Sequence, residues 1–177
     1  YDIGDKVLIE LAKIIHSNVN EFDMVGRLNG DEFLVSILNA TSEYQVEEIA
    51  KKIISDFAEV SILIDEEKNQ ILKKTICIGF EVYRLNSDIT ITECIKNADI
   101  AMYKAKENGK NQYLFCTPVM KDVANETMEL STNLYRAIEK NELELYYHPQ
   151  LSCHNNQIMG VEALIRWRHP VMGLISP

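Results

Sequence analysis

The chain has 177 residues, 46% apolar and 25% charged, with 18 Lys plus Arg against 27 Asp plus Glu and a net charge of −9. A chain of this size and mix can bury a core, so neither disorder nor a disulfide scaffold is needed to explain it. The acidic balance argues against a broad duplex-DNA groove binder, whose affinity comes largely from neutralising phosphates, and no DNA or RNA partner is expected, but it leaves room for a small phosphorylated ligand held by two or three local cations.

Residues 6–16 read as a helix, with Leu8, Leu11, Ala12 and Ile15 on one face. Met24–Leu28 and Phe33–Leu38 read as strands joined by Asn29-Gly30-Asp31-Glu32. Asn-Gly is a strong hairpin signal, because both residues accept positive φ in a tight turn. Residues 42–58 form a second helix, with Ser42 and Gln45 as a capping box. Ser61–Ile64 reads as a short strand, Asp65–Asn69 as a polar turn, and Thr75–Tyr83 as a buried strand around Gly79. A third helix spans 91–107, capped by Thr90 with Glu93 and stopped by Gly109. Gln112–Phe115 closes that set as a strand. After Thr117-Pro118, residues 119–140 read as a helix, Leu143–Tyr147 as a strand stopped by Pro149, and Ile158–Trp167 as another strand. The expected class is α/β (α+β), a sheet flanked by helices.

No run of about 18 apolar residues marks a membrane span. Tyr1-Asp2-Ile3-Gly4-Asp5 is not a basic-then-apolar signal peptide. Cys77, Cys94, Cys116 and Cys153 have no CxxC spacing and read as reduced, mostly packed thiols of a cytosolic protein. The missing initiator Met and the closing turn signal at Gly173–Pro177 read as cut ends.

Three pairs of residues carry possible chemistry. Asp31 and Glu32 project from a rigid turn, as hard-metal ligands or as ordinary turn and surface carboxylates. Lys106 and Lys110 lie around the end of a helix, as a phosphate clamp or as cations favoured by the helix dipole. Glu162 and Arg166 share one face of a strand, as a buried ion pair or as a metal and phosphate site. His16, His154 and His169 read as polar surface, and Trp167 with Tyr146-Tyr147 as core or interface. Neither a Walker motif, nor GxGxxG, nor a Ser-His-Asp arrangement is legible.

Arg27-Leu28-Asn29-Gly30-Asp31-Glu32-Phe33 resembles the RxGGDEF signature of diguanylate cyclases. Gly4-Asp5 is similar to the end of that family's GHxxGD segment, and Ala98–Lys106 with Gly109-Lys110-Asn111 matches its ADxAMYxAKxxGKN block. Tyr135–Ile138, Glu142–Tyr147 and Gly160–Trp167 resemble the opening of an EAL domain, the cyclic di-GMP phosphodiesterase. The resemblance divides the chain into a GGDEF-like part at 1–116 lacking its N-terminal portion, a linker helix at 117–134, and the start of an EAL TIM-type barrel at 135–177.

What this resemblance implies is a cytoplasmic piece of a bacterial signalling protein, with any membrane tether carried by N-terminal segments of the longer parent. A GGDEF cyclase joins two GTPs into cyclic di-GMP across a homodimer with Mg²⁺ or Mn²⁺. By that resemblance Asp31 ligates metal beside Glu32, Asp5 reads guanine, Asn29 and Gly30 line the nucleotide, and Lys106 and Lys110 hold phosphates. In the EAL part Glu162 ligates metal and Arg166 binds the phosphodiester. Asn29 replaces the first motif Gly, Asn20–Asp23 lacks the arginine of the inhibitory RxxD site, and His148 replaces the Gln of YYQP. The 177 residues alone are expected to be inactive. The alternative is a degenerate, GTP-binding regulatory module that controls an EAL phosphodiesterase.

Overall fold

The computed structural model describes residues 3–65, 70–72, 74–85 and 87–176. The chain divides into two units, 1–121 and 122–177.

In the first unit, α1 (Ile3–Asn18) and α2 (Glu43–Glu59) are amphipathic helices whose apolar faces meet. Leu11 and Ile15 of α1 and Ile53 and Phe57 of α2 form the buried cluster. Helices with one apolar stripe are stabilised mainly by covering it, at roughly 25 cal/mol per Å². Ser42 caps α2 and accepts from the Gln45 N–H at 3.3 Å. The reciprocal bond departs from a simple capping box, since Gln45 Oε1 accepts from the Thr41 N–H at 3.1 Å.

Strands β1 (Met24–Asn29) and β2 (Glu32–Ser36) form an antiparallel hairpin. Val25, Phe33 and Val35 pack on the helical cluster, as do Ile76 and Ile78 from later in the chain. Strands β3 (Leu63–Asp65) and β4 (Gln70–Ile71) make a short antiparallel ladder. The polar turn expected at 65–69 lies largely outside the described residues. Strand β5 (Ile78–Phe80) is shorter than the 75–83 expected and pairs in parallel with β6 (Tyr113–Phe115).

The connection between β5 and β6 is α3 (Ile91–Glu107). A Cβ on Gly79 would run into the Ala98 carbonyl and the Met102 amide, and lie 2.9 Å from the Met102 Cα. Glycine therefore lets helix and strand backbones touch, and the helix face there is made of Ala101 and Ala105, both fully buried. Thr90 caps α3 through the Glu93 N–H at 3.2 Å.

Helix α4 (Pro118–Ala137) follows. The second unit carries an antiparallel sheet in the order β7 (Leu143–Leu151), β8 (Ile158–His169), β9 (Gly173–Ile175). Strand β7 runs through Pro149 rather than stopping there. It pairs with β8 alone, and an edge strand has an outward side where a missing N–H costs no ladder bond. Gly173-Leu174-Ile175, expected to be a closing turn, pairs with Trp167–His169. This sheet is open; no closed barrel is formed among the described residues. No helix among them is long and apolar enough to cross a membrane.

Candidate functional site

The hairpin tip differs from the expectation in one respect. Asn29 is the last residue of β1 and pairs with Glu32, so the turn proper is Gly30-Asp31. Gly30 alone takes positive φ there, at 48°. Asn29 does not need the left-handed region, and its replacement of glycine leaves the turn intact. Asp31 is exposed and Glu32 half-buried, and neither has an ion-pair partner among the described residues. Both carboxylates are open to a ligand.

Lys106 and Lys110 stand at the other end of α3. Asn108 caps the helix, Gly109 turns left-handed at φ 108°, and the Lys110 N–H donates to the Ala105 carbonyl at 3.1 Å. That bond is the long closure of a Schellman stop. Lys110 and Asn111 also have positive φ, 63° and 49°. The Gln112 side-chain amide donates to the Ala105 and Asn108 carbonyls at 3.0 and 2.9 Å. Lys110 N–H and Gln112 thus serve the Ala105 and Asn108 carbonyls of the helix end. Lys106 and Lys110 are exposed, and neither ammonium has an ion-pair partner among the described residues.

Asp5 lies in the first turn of α1 and is exposed. Asp31, Glu32, Asn29 and Gly30 are brought together on the hairpin, and Lys106 with Lys110 at the stop of α3. No hydrogen bond or ion pair joins the two groups among the described residues.

The segment Asn20–Asp23 has its own use. Asp23 accepts from the Asn20 N–H at 2.8 Å and the Leu38 N–H at 2.9 Å, bracketing the loop before β1 to the end of β2. The adjoining hollow of about 550 Å³ is lined by Asn20, Glu21, Asp23 and Gln45 among others, with no cation. An anionic dinucleotide has nothing there to neutralise it.

In the second unit, register places His148 opposite Glu162 and Glu144 opposite Arg166, so these four share one face of the sheet with Tyr146. The opposite face carries Leu143, Leu145, Tyr147, Ala163, Ile165 and Trp167. Glu162 is exposed and forms no ion pair with Arg166. The Arg166 guanidinium lies 5.9 Å from the Tyr146 ring centre and donates to its neighbour's carbonyl at 2.8 Å. The buried-pair alternative is therefore not what the structure contains. Arg168 takes the carboxylate instead, bonding Glu144 at 2.7 and 3.0 Å. Trp167 is buried and donates to Glu142 at 2.9 Å. His169, expected as polar surface, is half-buried, and its Nδ1 accepts from the Val171 and Met172 N–H groups.

Sequence reasoning missed a polar joint at the start of α4. Glu81, 12% exposed, pairs with Lys121 at 2.6 Å. It also accepts from the Val82 N–H at 3.0 Å, and buried Asn97 lies near it. Burial pushes the Glu81 carboxyl up, but Lys121, Val82 and Asn97 outweigh it and leave the group below the usual carboxylate range. Burial raises the neighbouring Cys94 and Cys116 thiols. The four cysteines are free, Cys153 exposed and the others half-buried.

Among the described residues no group of three or more His, Cys, Asp or Glu side chains forms a metal cage. Asp31 and Glu32 offer a few hard oxygens and no more. That donor set fits Mg²⁺, which is commonly held by one or two carboxylates together with substrate phosphates.

Comparison with known proteins adds the following. The profile of the diguanylate cyclase, GGDEF domain, matches residues 1–112, and that of the EAL domain matches residues 131–177. The bifunctional diguanylate cyclase/cyclic di-GMP phosphodiesterase MucR of Pseudomonas aeruginosa is 35% identical over all of this chain, which covers 25% of MucR. The cyclic di-GMP phosphodiesterase PdeR of Escherichia coli is 33% identical over 98% of this chain and 25% of its own length. The chain thus spans about a quarter of these relatives. Among solved structures, the GGDEF domain of YfiN from Pseudomonas aeruginosa superposes with a TM-score of 0.62 at 27% identity, over 71% of this chain and 70% of that one. The active GGEEF domain of a diguanylate cyclase from Vibrio cholerae gives 0.55 at 30% identity, over 66% and 70%.

Proposed function

Because the chain belongs to the GGDEF family of diguanylate cyclase domains, continued by the start of an EAL domain, we propose that it is an internal part of a longer protein of cyclic di-GMP turnover. We place its GGDEF part at 1–116, a linker helix at 117–134 and the EAL start at 135–177. The GGDEF part binds GTP with Mg²⁺ or Mn²⁺, and a homodimer joins two GTPs with loss of pyrophosphate. The EAL part contributes Glu162 and Arg166 to hydrolysis of the product. The setting is the cytoplasm.

The observation that carries this reading is the pair of unspent charge groups: two open carboxylates on a rigid tip, and two unpaired lysines on a helix end already capped by other atoms. Mg²⁺ would supply charge neutralisation at the phosphates. Asp31, with Glu32 beside it, would hold that metal. Lys106 and Lys110 would hold the phosphate oxygens, and Asp5 would accept from the guanine edge. Such preorganised charge is what phosphoryl transfer needs most. The 177 residues alone remain inactive, because Asp31 and Glu32 cannot position metal and two nucleotides without further ligands.

Incubating the longer protein with GTP and Mg²⁺, and separately with cyclic di-GMP, tests this. Product in either assay is expected; folded protein that yields none in both refutes it.

A second reading is favoured by the Glu81–Lys121 pair. It ties the first turn of α4 to the end of β5. The GGDEF part then binds GTP without turnover and acts through α4 on the phosphodiesterase. GTP raising the rate of cyclic di-GMP hydrolysis, with no synthesis, is its signature. An unchanged hydrolysis rate removes it.

A further inference from the structure

Arg27 lies three residues before Gly30, and its side chain folds back over the hairpin tip. Nε and Nη2 both donate to the Gly30 carbonyl oxygen, at 2.9 and 2.6 Å. The strand register slips between Arg27 and Asn29, a bulge of the kind that re-aims a side chain at the end of a ladder.

Solvation alone does not call for this contact. Arg27 and Gly30 are both exposed, so water could serve the carbonyl. Holding an arginine in one geometry costs rotamer freedom. What the fork does is conformational. Gly30, at φ 48°, is the one residue of the turn in the left-handed region, and glycine has more freedom there than any other residue. Its carbonyl belongs to the peptide plane shared with Asp31. Two donors from a planar group on that oxygen select one orientation of the plane, and the Asp31 N–H and Cα–Cβ direction follow from it. The same contact brings a permanent cation to the acidic tip without spending the carboxylates, since Arg27 forms no ion pair with Asp31 or Glu32.

We propose that Arg27 is a positioning residue. Acting through the Gly30 carbonyl, it fixes the direction in which Asp31 presents its carboxylate to the Mg²⁺ that arrives with the nucleotide. The proposal rests on the nucleotide reading above and adds to it a residue that touches neither metal nor phosphate. A lysine cannot replace it, because one ammonium on a flexible stem does not reproduce the fork.

The test uses the longer protein as wild type, Arg27→Gln and Arg27→Lys. Two quantities are read: GTP affinity by calorimetry across a Mg²⁺ titration and in EDTA, and amide hydrogen exchange in nucleotide-free protein. In both variants the Mg²⁺ concentration for half-maximal tight binding should rise at least fivefold. GTP affinity in EDTA should stay within twofold. Exchange at Asp31 and Glu32 should quicken, while α2 stays protected as in wild type, which excludes misfolding as the cause. A Mg²⁺ dependence within twofold of wild type in Arg27→Gln overturns the proposal and leaves the nucleotide reading standing. Weakened GTP binding in EDTA that Arg27→Lys restores overturns it in favour of a direct phosphate contact. Wild type that binds no GTP with Mg²⁺ overturns the nucleotide reading, and the proposal with it.

Discussion

The Lys121 ammonium sits 2.6 Å from a Glu81 carboxylate that is 12% exposed, so the first turn of α4 is pinned to the end of β5 by a shielded ion pair. Surface pairs such as Lys13–Glu10 contribute little, because water competes for both partners. Here removing Lys121 leaves a largely shielded carboxylate with the Val82 N–H to serve it. Lys121→Met should lower unfolding free energy by about 1–2 kcal/mol, a value reduced for the partial exposure of the lysine.

The pH dependence of that difference has a defined sign. Glu81 is held below its ordinary value of 4.5, so its contribution is full above 4.5 and lost as pH falls through the lower folded value. The hydrogen bond from Lys121 to Glu81 raises Lys121 above 10.5, so its contribution is full below 10.5 and lost as pH rises through the higher folded value. Urea unfolding of wild type and Lys121→Met should differ by a constant amount between those limits and converge toward acid.

Gly79→Ala should destabilise the protein by about 1–3 kcal/mol or more, because the added carbon meets backbone atoms of α3 that cannot rotate away. Gly26→Ala is the matched control, with no atom within 4 Å of its Cβ. Its cost should stay within about 0.5 kcal/mol. Thermal melts of the two variants compare the sites directly.

Lys110→Gly separates binding from stability. Lys110 holds φ 63°, a conformation glycine accepts freely. Stability should be unchanged or rise by up to about 1 kcal/mol. GTP affinity should fall about tenfold through loss of one charged phosphate contact. Gln112→Ala should do the reverse: stability falls by about 1 kcal/mol as helix carbonyls lose a donor, and GTP affinity changes little.

Cyclic di-GMP should not inhibit GTP turnover through Asn20–Asp23. The arginine is absent, and Asp23 is committed to two backbone N–H groups. Turnover measured with rising cyclic di-GMP checks this, and inhibition abolished by Asp23→Asn would contradict it.

Much of this was legible in the residues, for local reasons. Helix α3 begins and ends where Thr90, Glu93 and Gly109 say it should, because caps are short-range chemistry. At the tip the Asn-Gly pair predicts positive φ at both residues, whereas the bulge before Asn29 places the turn at Gly30-Asp31 with Gly30 alone at positive φ. Pro149 did not end its strand, because whether a proline is tolerated depends on which edge it occupies. The Glu81–Lys121 joint, the Gln112 cap and the Arg27 fork were invisible, since each depends on which distant backbone or side chain the fold delivers. The roles proposed for Asp5, Asp31, Lys106 and Glu162 rest on motif resemblance rather than on spacing.

The most direct test of the central claim is amide chemical-shift mapping while the protein is titrated with GTP and Mg²⁺. Gly30–Phe33 and Lys106–Asn111 should shift together and saturate at one common nucleotide concentration. Shifts confined to one of the two segments, or two separate saturation curves, would contradict the convergence of tip and lysines on a single nucleotide.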